Sequence, residues 1–177
     1  EDYIIEQRAK SLDRQSFRTS ARGLRELFRN LGLIDDSGAE IVISSHGRKA
    51  AAYAGNPLGA EETEFWRRTI RAMRHHGGDN EASHPYQVLL RLIARKPGIS
   101  RAMCALALEA KNDSQNELDR IVNLAGGTEE DARLAAHASI SNWNNAKKVL
   151  PKFAEQLGDV VKSGHAFRIA DAPGSAV

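Results

Sequence analysis

The chain has 177 residues, of which 41% are hydrophobic and 27% are charged, and its formal net charge is +2. That length and hydrophobic content suffice for one large domain or two small ones with a buried core. The single cysteine, Cys104, excludes a disulfide framework and a cysteine-based zinc site, and its apolar neighbours favour a buried side chain. No stretch has the length of a membrane span and no signal peptide is visible, so we expect no membrane partner.

Residues 16–43 predict an amphipathic helix followed by a β-hairpin. Apolar side chains recur at helical spacing at Phe17, Ala21, Leu24, Phe28 and Leu31. Gly32 can adopt the left-handed conformation that closes a helix, and residues 36–38 predict a turn between two short strands. After the hairpin, Ser45 is expected to cap a short alanine-rich helix. A helix that leads into a hairpin is typical of the second half of a winged helix.

A second stripe on the same helix is basic. The arginines of this stripe, together with one that precedes it, are Arg14, Arg18, Arg22, Arg25 and Arg29. Guanidinium groups bind phosphate as a planar fork and also read the edge of guanine. Only Glu26 offers an acidic partner within the helix, so DNA contact is favoured over a solvated, salt-bridged face. Other candidate DNA contacts in this part of the chain are Ser16, Thr19, Arg48 and Lys49.

Residues 61–76 predict a further helix with an acidic first turn and a basic end, as the helix dipole prefers. His75 and His76 at its end are adjacent and would point about 100 degrees apart, which argues against a shared metal ion. The polar stretch 77–83, GGDNEAS, is the best candidate for a boundary. We therefore expect a first subdomain with a connecting helix at 1–78 and a second subdomain at 79–177.

Four helices are predicted before the chain reaches residue 140. The first opens at Ser83 or His84, with Pro85 in its first turn, and ends at Lys96. The second is predicted from Arg101 to Lys111. The third is predicted to start at Asp113 or Ser114, and the fourth is predicted from Glu129 to Ser139. Thr128 and Asp131 have the spacing of a capping box ahead of the last helix.

Residues 142–169 repeat the organising stretch, because they align with residues 16–43 without a gap at a constant offset of 126. Ser141 or Asn142 is expected to cap the second helix, which Pro151 either kinks or breaks. Candidate DNA contacts in and after this helix are Asn142, Asn144, Asn145, Lys147, Lys148, Lys162 and His165. Asn binds adenine bidentately and Lys binds phosphate or guanine; the alternative is that Asn142 is only a cap and the others face solvent. The predicted fold is mainly α with short β-hairpins, in two tandem winged-helix subdomains.

Catalytic signals are weak. Glu109-Ala110-Lys111 matches part of the metal-dependent nuclease signature, but the run around it is helical in composition whereas that signature belongs on a strand. We therefore expect no catalytic residue, metal site or cofactor in residues 1–177. The soft tail at 172–177 and a first residue other than methionine suggest a piece of a longer protein.

The order of these pieces resembles the DNA-recognition portion of type II, and especially type IIS, restriction endonucleases. The segments that carry the resemblance are ARGLRELFRNLGLID, HPYQVLLRLIARKPGIS and SNWNNAKKVLPKFAEQLGDVV, each with its neighbouring hairpin or turn. The resemblance implies sequence-specific recognition of double-stranded DNA in the cytoplasm of a bacterium. Cleavage would belong to a separate domain, which would use a divalent metal such as Mg²⁺. The alternatives are a winged-helix transcription regulator and a winged-helix module that binds protein; the oligomeric state stays open.

Overall fold

A computed structural model describes residues 14–55, 59–76 and 81–170, with the exception of the side chains of residues 14–20, 76, 141 and 145. In these ranges the chain forms seven α-helices, one 3₁₀ helix and seven strands of two to four residues. The prediction of a mainly α protein with short antiparallel hairpins is confirmed. The chain divides into two compact units, residues 1–57 and residues 58–177.

Over residues 14–55, the first unit contains a helix, a hairpin and a second helix. Its elements are α1 (Arg14–Asn30), β1 (Ile34–Asp35), β2 (Val42–Ile43) and α2 (Ser45–Ala52). Ser44 caps α2, because its Oγ accepts a hydrogen bond from the amide of Gly47 at 2.8 Å and donates to the carbonyl of Gly32 at 2.7 Å. The predicted cap, Ser45, is therefore one residue too late, and the observed cap also ties α2 to the end of α1.

The apolar stripe of α1 is not buried as its pattern suggested. Leu24 is 53% exposed and Phe28 is 41% exposed. The returning strand of the hairpin and the residue before it are also open to solvent, with Ile41, Val42 and Ile43 all more than half exposed. Several apolar side chains among residues 21–55 are thus largely exposed.

The second unit begins with α3 (Ala60–Ala72), and not with the polar stretch 77–83 that was predicted as the boundary. The prediction that this helix extends to His76 is wrong, because Met73 adopts extended backbone angles. His75–His76 instead forms β3, which pairs antiparallel with β4 (Ala82–Ser83). The predicted boundary between residues 78 and 79 thus falls between two paired strands, whereas the units divide between Pro57 and Leu58.

The remainder of the second unit is a helical body closed by a three-stranded sheet. Its elements are α4 (Pro85–Arg95), β5 (Ile99–Ser100), a 3₁₀ helix (Met103–Glu109), α5 (Gln115–Leu124), α6 (Glu129–Ala135), α7 (Ile140–Gln156), β6 (Val160–Ser163) and β7 (Ala166–Ile169). The strand order is β5-β7-β6, and both pairings are antiparallel. The last two strands are a hairpin that follows α7 directly, and β5 joins it from a position far earlier in the chain.

The core of this unit lies between α4, the 3₁₀ helix, α7 and β7. Completely or almost completely buried side chains come from all four elements: Tyr86, Leu89, Leu92, Ile93, Cys104, Leu106, Trp143, Leu150 and Phe167. The α-helix predicted for residues 101–111 is a 3₁₀ helix instead. Met103–Ala107 are five consecutive buried residues, and a segment enclosed on every side does not need the single buried face of an amphipathic α-helix.

Helix starts in the second unit follow local chemistry. Pro85 occupies the first turn of α4, Ser114 caps α5, and Thr128 with Asp131 forms the predicted capping box. For α7 the predicted caps, Ser141 and Asn142, are wrong, because Ser139 accepts a hydrogen bond from the amide of Asn142 at 3.2 Å. Pro151 does not divide α7, which is continuous from Ile140 to Gln156. The fourth predicted helix also ends earlier than expected, at Ala135 rather than Ser139.

The internal repeat is confirmed in the backbone of the two units. Gly32 and Gly158, which align in the sequence, both have positive φ angles, of 68° and 72°. Each helix ends with the same hydrogen bonds, such as the amide of Leu33 to Phe28 in the first copy and the amide of Asp159 to Ala154 in the second. The hairpin registers correspond as well, since Ile34 pairs with Ile43 and Val160 with Ile169.

The carboxylate of Asp159, next to the second of these glycines, joins three elements. Its Oδ1 accepts a hydrogen bond from Nε of Arg67 at 2.8 Å. Its Oδ2 accepts from the hydroxyl of Tyr86 at 2.9 Å and from Nη2 of Arg71 at 3.2 Å. Arg67 also donates to the carbonyl of Leu157 at 2.6 Å. Because burial raises the pKa of Tyr86, its hydroxyl stays protonated as a donor. Both α3 and α4 are thereby fixed to the junction between α7 and β6.

We expect Asp159→Asn to lower the free energy of unfolding of the second unit by about 2 kcal/mol, because Arg67 and Arg71 then meet a neutral amide in place of a largely buried carboxylate. Arg67 keeps Glu64 as a charged partner, which limits the loss. Tyr86→Phe, which removes only one hydrogen bond, should cost about 1 kcal/mol. Urea unfolding followed by circular dichroism measures both effects. Asp119→Asn is the matched control, since its pair with Arg95 is exposed and should contribute less than about 0.5 kcal/mol. Equal effects of the two Asp→Asn changes would refute the role of Asp159.

Alanine at Gly32 or Gly158 should destabilise the corresponding unit by about 1–2 kcal/mol, because a Cβ disfavours the left-handed conformation. Gly23 provides a control with the opposite sign. It lies inside α1 and a Cβ there would meet no atom within 4 Å, so Gly23→Ala should stabilise the helix by up to about 1 kcal/mol. Chemical unfolding of the three variants tests the contrast, which a loss of stability in Gly23→Ala would contradict.

Candidate nucleic-acid interface

The basic stripe of α1 is partly neutralised by a residue outside the helix. Asp36, in the hairpin, accepts a hydrogen bond from Nε of Arg25 at 2.8 Å and lies 3.6 Å from Nη1 of Arg29. The Asp36 side chain is only 7% exposed, whereas both arginines remain about half exposed. Glu26 is the acidic residue within the helix, but the stripe also has a partner outside it, because the hairpin folds back and supplies an acid that helical spacing does not show.

The other candidates of the first unit differ in how far their side chains are engaged. Arg22 is exposed and forms no ion pair among the described residues. Arg48 is exposed but donates from Nη1 to the carbonyl of Ile43 at 2.8 Å, which closes the corner between β2 and α2. Lys49 is exposed in α2. The remaining candidates lie in the first two turns of α1, where the side chains are outside the described part of the structure: Arg14, Ser16, Arg18 and Thr19.

In the second unit, α7 has a buried face and a basic outer face. Trp143 and Leu150 anchor the inner face and are 2% and 3% exposed. On the outer face Lys148 and Lys152 are both exposed, one helical turn apart. Lys152 was not among the predicted contacts, although its spacing of four residues from Lys148 was a signal in the sequence. Asn142 is also exposed, one turn beyond the cap.

Two of the predicted contacts in α7 are less accessible, and one is not described. Nζ of Lys147 lies 3.0 Å from Oε1 of Glu129, and the same oxygen accepts a hydrogen bond from Nε1 of Trp143 at 3.0 Å. The hydrogen bond from Lys147, together with that from Trp143, lowers the pKa of Glu129 below its usual value, which favours its carboxylate form. Lys147 therefore fastens α7 to α6. Asn144 is half-buried, and the side chain of Asn145 is outside the described set.

A shallow groove lies along the C-terminal half of α7. Its volume is about 360 Å³, and the described residues that line it are Lys148, Val149, Lys152, Phe153 and Gln156. Val149 is 48% exposed and Phe153 is half-buried. The groove thus combines two cations and an amide with an apolar floor.

The hairpin that follows α7 adds further cations. Lys162 in β6 and Arg168 in β7 are exposed, and His165 is exposed at the turn between the strands. In residues 140–170 the acidic residues are Glu155 and Asp159, and Asp159 is occupied by the arginines of α3. The end of the second unit therefore presents an excess of positive charge to solvent.

Cys104 and Glu109, the residues considered for catalysis, lie in the 3₁₀ helix and not on the basic surface. Cys104 is completely buried, and burial raises its pKa to about 12. Glu109 ends the 3₁₀ helix, and burial raises the pKa of its carboxyl group as well. Within residues 14–55, 59–76 and 81–170, no three or more His, Cys, Asp or Glu side chains are grouped so that they could hold a metal ion.

Comparison with known proteins gives no family assignment. The chain matches no protein-family model, and neither a curated protein nor a solved structure matches it significantly. Among the residues that the structure describes, no helix has the length and apolar character needed to cross a bilayer. Function is therefore inferred from the basic surface itself.

We expect Cys104 to react with a thiol reagent at least about a hundredfold more slowly in the native protein than in the unfolded chain at about pH 8, because the thiol is both inaccessible and protonated. Absorbance at the wavelength of the released chromophore follows the reaction with Ellman's reagent. The same protein in concentrated guanidinium chloride is the control. Rapid reaction of the native thiol would mean that the core around the 3₁₀ helix opens easily.

Proposed function

We propose that residues 58–177 form a winged-helix module that binds double-stranded DNA through α7 and the β6–β7 hairpin. The order of elements supports this assignment. A helix, α4, is followed by the short strand β5, and β5 pairs with the hairpin after the last helix to give the order β5-β7-β6. This is the strand arrangement of a winged helix, in which the helix before the hairpin enters the major groove. The segments between β5 and α7 would then be the helical insertion.

The observation that carries the proposal is the pair Lys148 and Lys152 on the outer face of α7. The inner face of the same helix is fixed in the core by Trp143 and Leu150, so the two cations have a defined direction. A helix of 17 residues is roughly 25 Å long, and the major groove is wide enough to admit it. Lysines in this position neutralise backbone phosphates and release counterions, which is the main source of affinity for DNA.

The first unit supports a tandem arrangement. It repeats the backbone of α7 and its hairpin, including the positive φ of the closing glycine, and Arg22 is exposed on its helix. Two helix–hairpin elements in one chain suit a recognition module that reads an extended, non-palindromic site. Together with the resemblance of the sequence segments, this favours the recognition module of a restriction-type endonuclease in the bacterial cytoplasm. Cleavage, with a divalent metal such as Mg²⁺, would reside in another domain.

A second function is favoured by one observation in the first unit. Leu24, Phe28, Ile41, Val42 and Ile43 are all exposed, and exposed apolar side chains of this kind can form a protein-interaction site. The first unit would then bind protein while the second binds DNA. Loss of a protein partner in a Phe28→Ser variant, with unchanged affinity for DNA, would identify this division of labour.

We expect Lys148→Gln/Lys152→Gln to weaken binding to a randomised duplex pool by roughly tenfold at low salt and to reduce the slope of log K against log salt by about 2, because two phosphate contacts are lost. Fluorescence anisotropy at several salt concentrations measures both quantities. Arg95→Gln/Lys111→Gln removes the same charge from exposed positions away from α7 and serves as the control. Equal losses in the two double variants would show that only net charge matters, and no binding at low salt would reject the proposal.

A further inference from the structure

Val149 is an exposed apolar side chain beside the basic face of α7. It is 48% exposed and lines the groove together with Lys148 and Lys152, with Phe153 as its apolar neighbour. Lysines suffice for binding phosphate, and phosphate gains nothing from an adjacent valine. A ligand with both anionic and apolar parts would engage the cations and the apolar side chains together.

The spacing along α7 places these side chains in two neighbouring rows. Lys148 and Lys152 are four residues apart and form one row, while Val149 and Phe153 have the same separation and form the next. Gln156 continues from Phe153 by three residues, so the amide lies one turn further along the same groove. A ligand that lies along the helix would meet charge on one edge of the groove and hydrocarbon on its floor.

The major groove of DNA presents this combination at thymine. Its phosphates line the edges of the groove, and the apolar group on its base edges is the C5-methyl of thymine, which proteins contact with apolar side chains. An exposed methyl group is removed from water when it meets Val149, and this gives selectivity without a hydrogen bond. The apolar surface of Val149 that is exposed to water in the free protein would then be buried when DNA binds.

We propose that Val149 and Phe153 contact the C5-methyl group of a thymine in the major groove while Lys148 and Lys152 bind the phosphates beside it. This inference rests on the proposed DNA-binding function and makes it specific. It assigns the two lysines to affinity and the apolar pair to sequence preference, so the two properties should separate in experiments.

The test uses the whole 177-residue chain and a duplex selected by it from a randomised pool. Each thymine of the selected motif is replaced in turn by deoxyuridine, which keeps base pairing and removes only the methyl group. We expect at least one position at which this replacement weakens binding about fourfold, the size of one buried methyl contact. Val149→Ala should weaken binding to the thymine duplex by a similar factor and should reduce the difference between thymine and uracil there, while Phe153 remains as a partner of the methyl group.

Matched variants separate this contact from general damage. Leu134→Ala removes an apolar side chain of similar exposure, 55%, from α6, and it should retain the full difference between thymine and uracil. Val149→Thr keeps the shape of the side chain and one of its two methyl groups, so it should keep part of the difference between thymine and uracil while the protein remains as stable as the parent. A double-mutant cycle over the Val149 change and the thymine change then measures the coupling free energy between the two groups.

The outcomes distinguish the two levels of the proposal. If no duplex is bound at low salt, the DNA-binding function fails and the methyl contact fails with it. If a motif is selected but no thymine shows a uracil penalty, or Val149→Ala keeps the penalty unchanged, the contact is refuted and DNA binding stands. If Val149→Ala instead abolishes capture of a protein and leaves every duplex unaffected, the groove belongs to a protein partner and the thymine contact is likewise refuted.

Discussion

The carboxylate of Asp159 is the interaction on which the second unit depends. It lies between α7 and β6 and receives hydrogen bonds from Arg67 and Arg71 of α3 and from Tyr86 of α4. A charge in a largely enclosed position is tolerated only when it is paired and hydrogen-bonded, and here the three donors come from two helices that are distant in the sequence. The same contacts therefore fix the end of α7, and with it the direction of its outer face and of the hairpin.

The two copies of the repeat share a backbone but not this anchor. The residue that aligns with Asp159 in the first copy is Leu33. Its amide forms the equivalent hydrogen bond at the end of the helix, but its apolar side chain cannot accept hydrogen bonds from arginine. In the first unit the carboxylate comes instead from Asp36, which pairs with Arg25 and Arg29 of its own helix. A local contact of this kind organises a small unit, and it leaves Leu24 and Phe28 exposed.

Basic residues in this protein divide into those that hold the fold together and those that remain for a ligand. Arg67, Arg71 and Lys147 are engaged by Asp159 and Glu129. Lys148, Lys152 and Lys162 are exposed on α7 and its hairpin. Two adjacent lysines thus differ in their contacts. Lys147 points towards Glu129 of α6, whereas Lys148 lies about 100 degrees further round the helix and is exposed. Such a division is what makes a nearly neutral chain able to present a positive surface.

The sequence by itself determined the features that depend on neighbouring residues. Helical periodicity, the capping box at Thr128, the position of Pro85 and the closing glycines were all predicted correctly, because each is decided within a few residues. The internal repeat was also visible, since a constant offset of aligned apolar and glycine positions reflects a shared backbone.

Tertiary structure alone decided the features that depend on distant partners. His75–His76 is a strand because Ala82–Ser83 pairs with it, and residues 103–109 form a 3₁₀ helix whose first five residues are buried in the core. The exposure of Leu24, the pairing of Asp36 with the basic stripe and the assignment of α3 to the second unit depend likewise on contacts outside each segment. The physical reason is common to all of them: burial and ion pairing are set by the free energy of the assembled unit, which can override the preferences of a short stretch of chain.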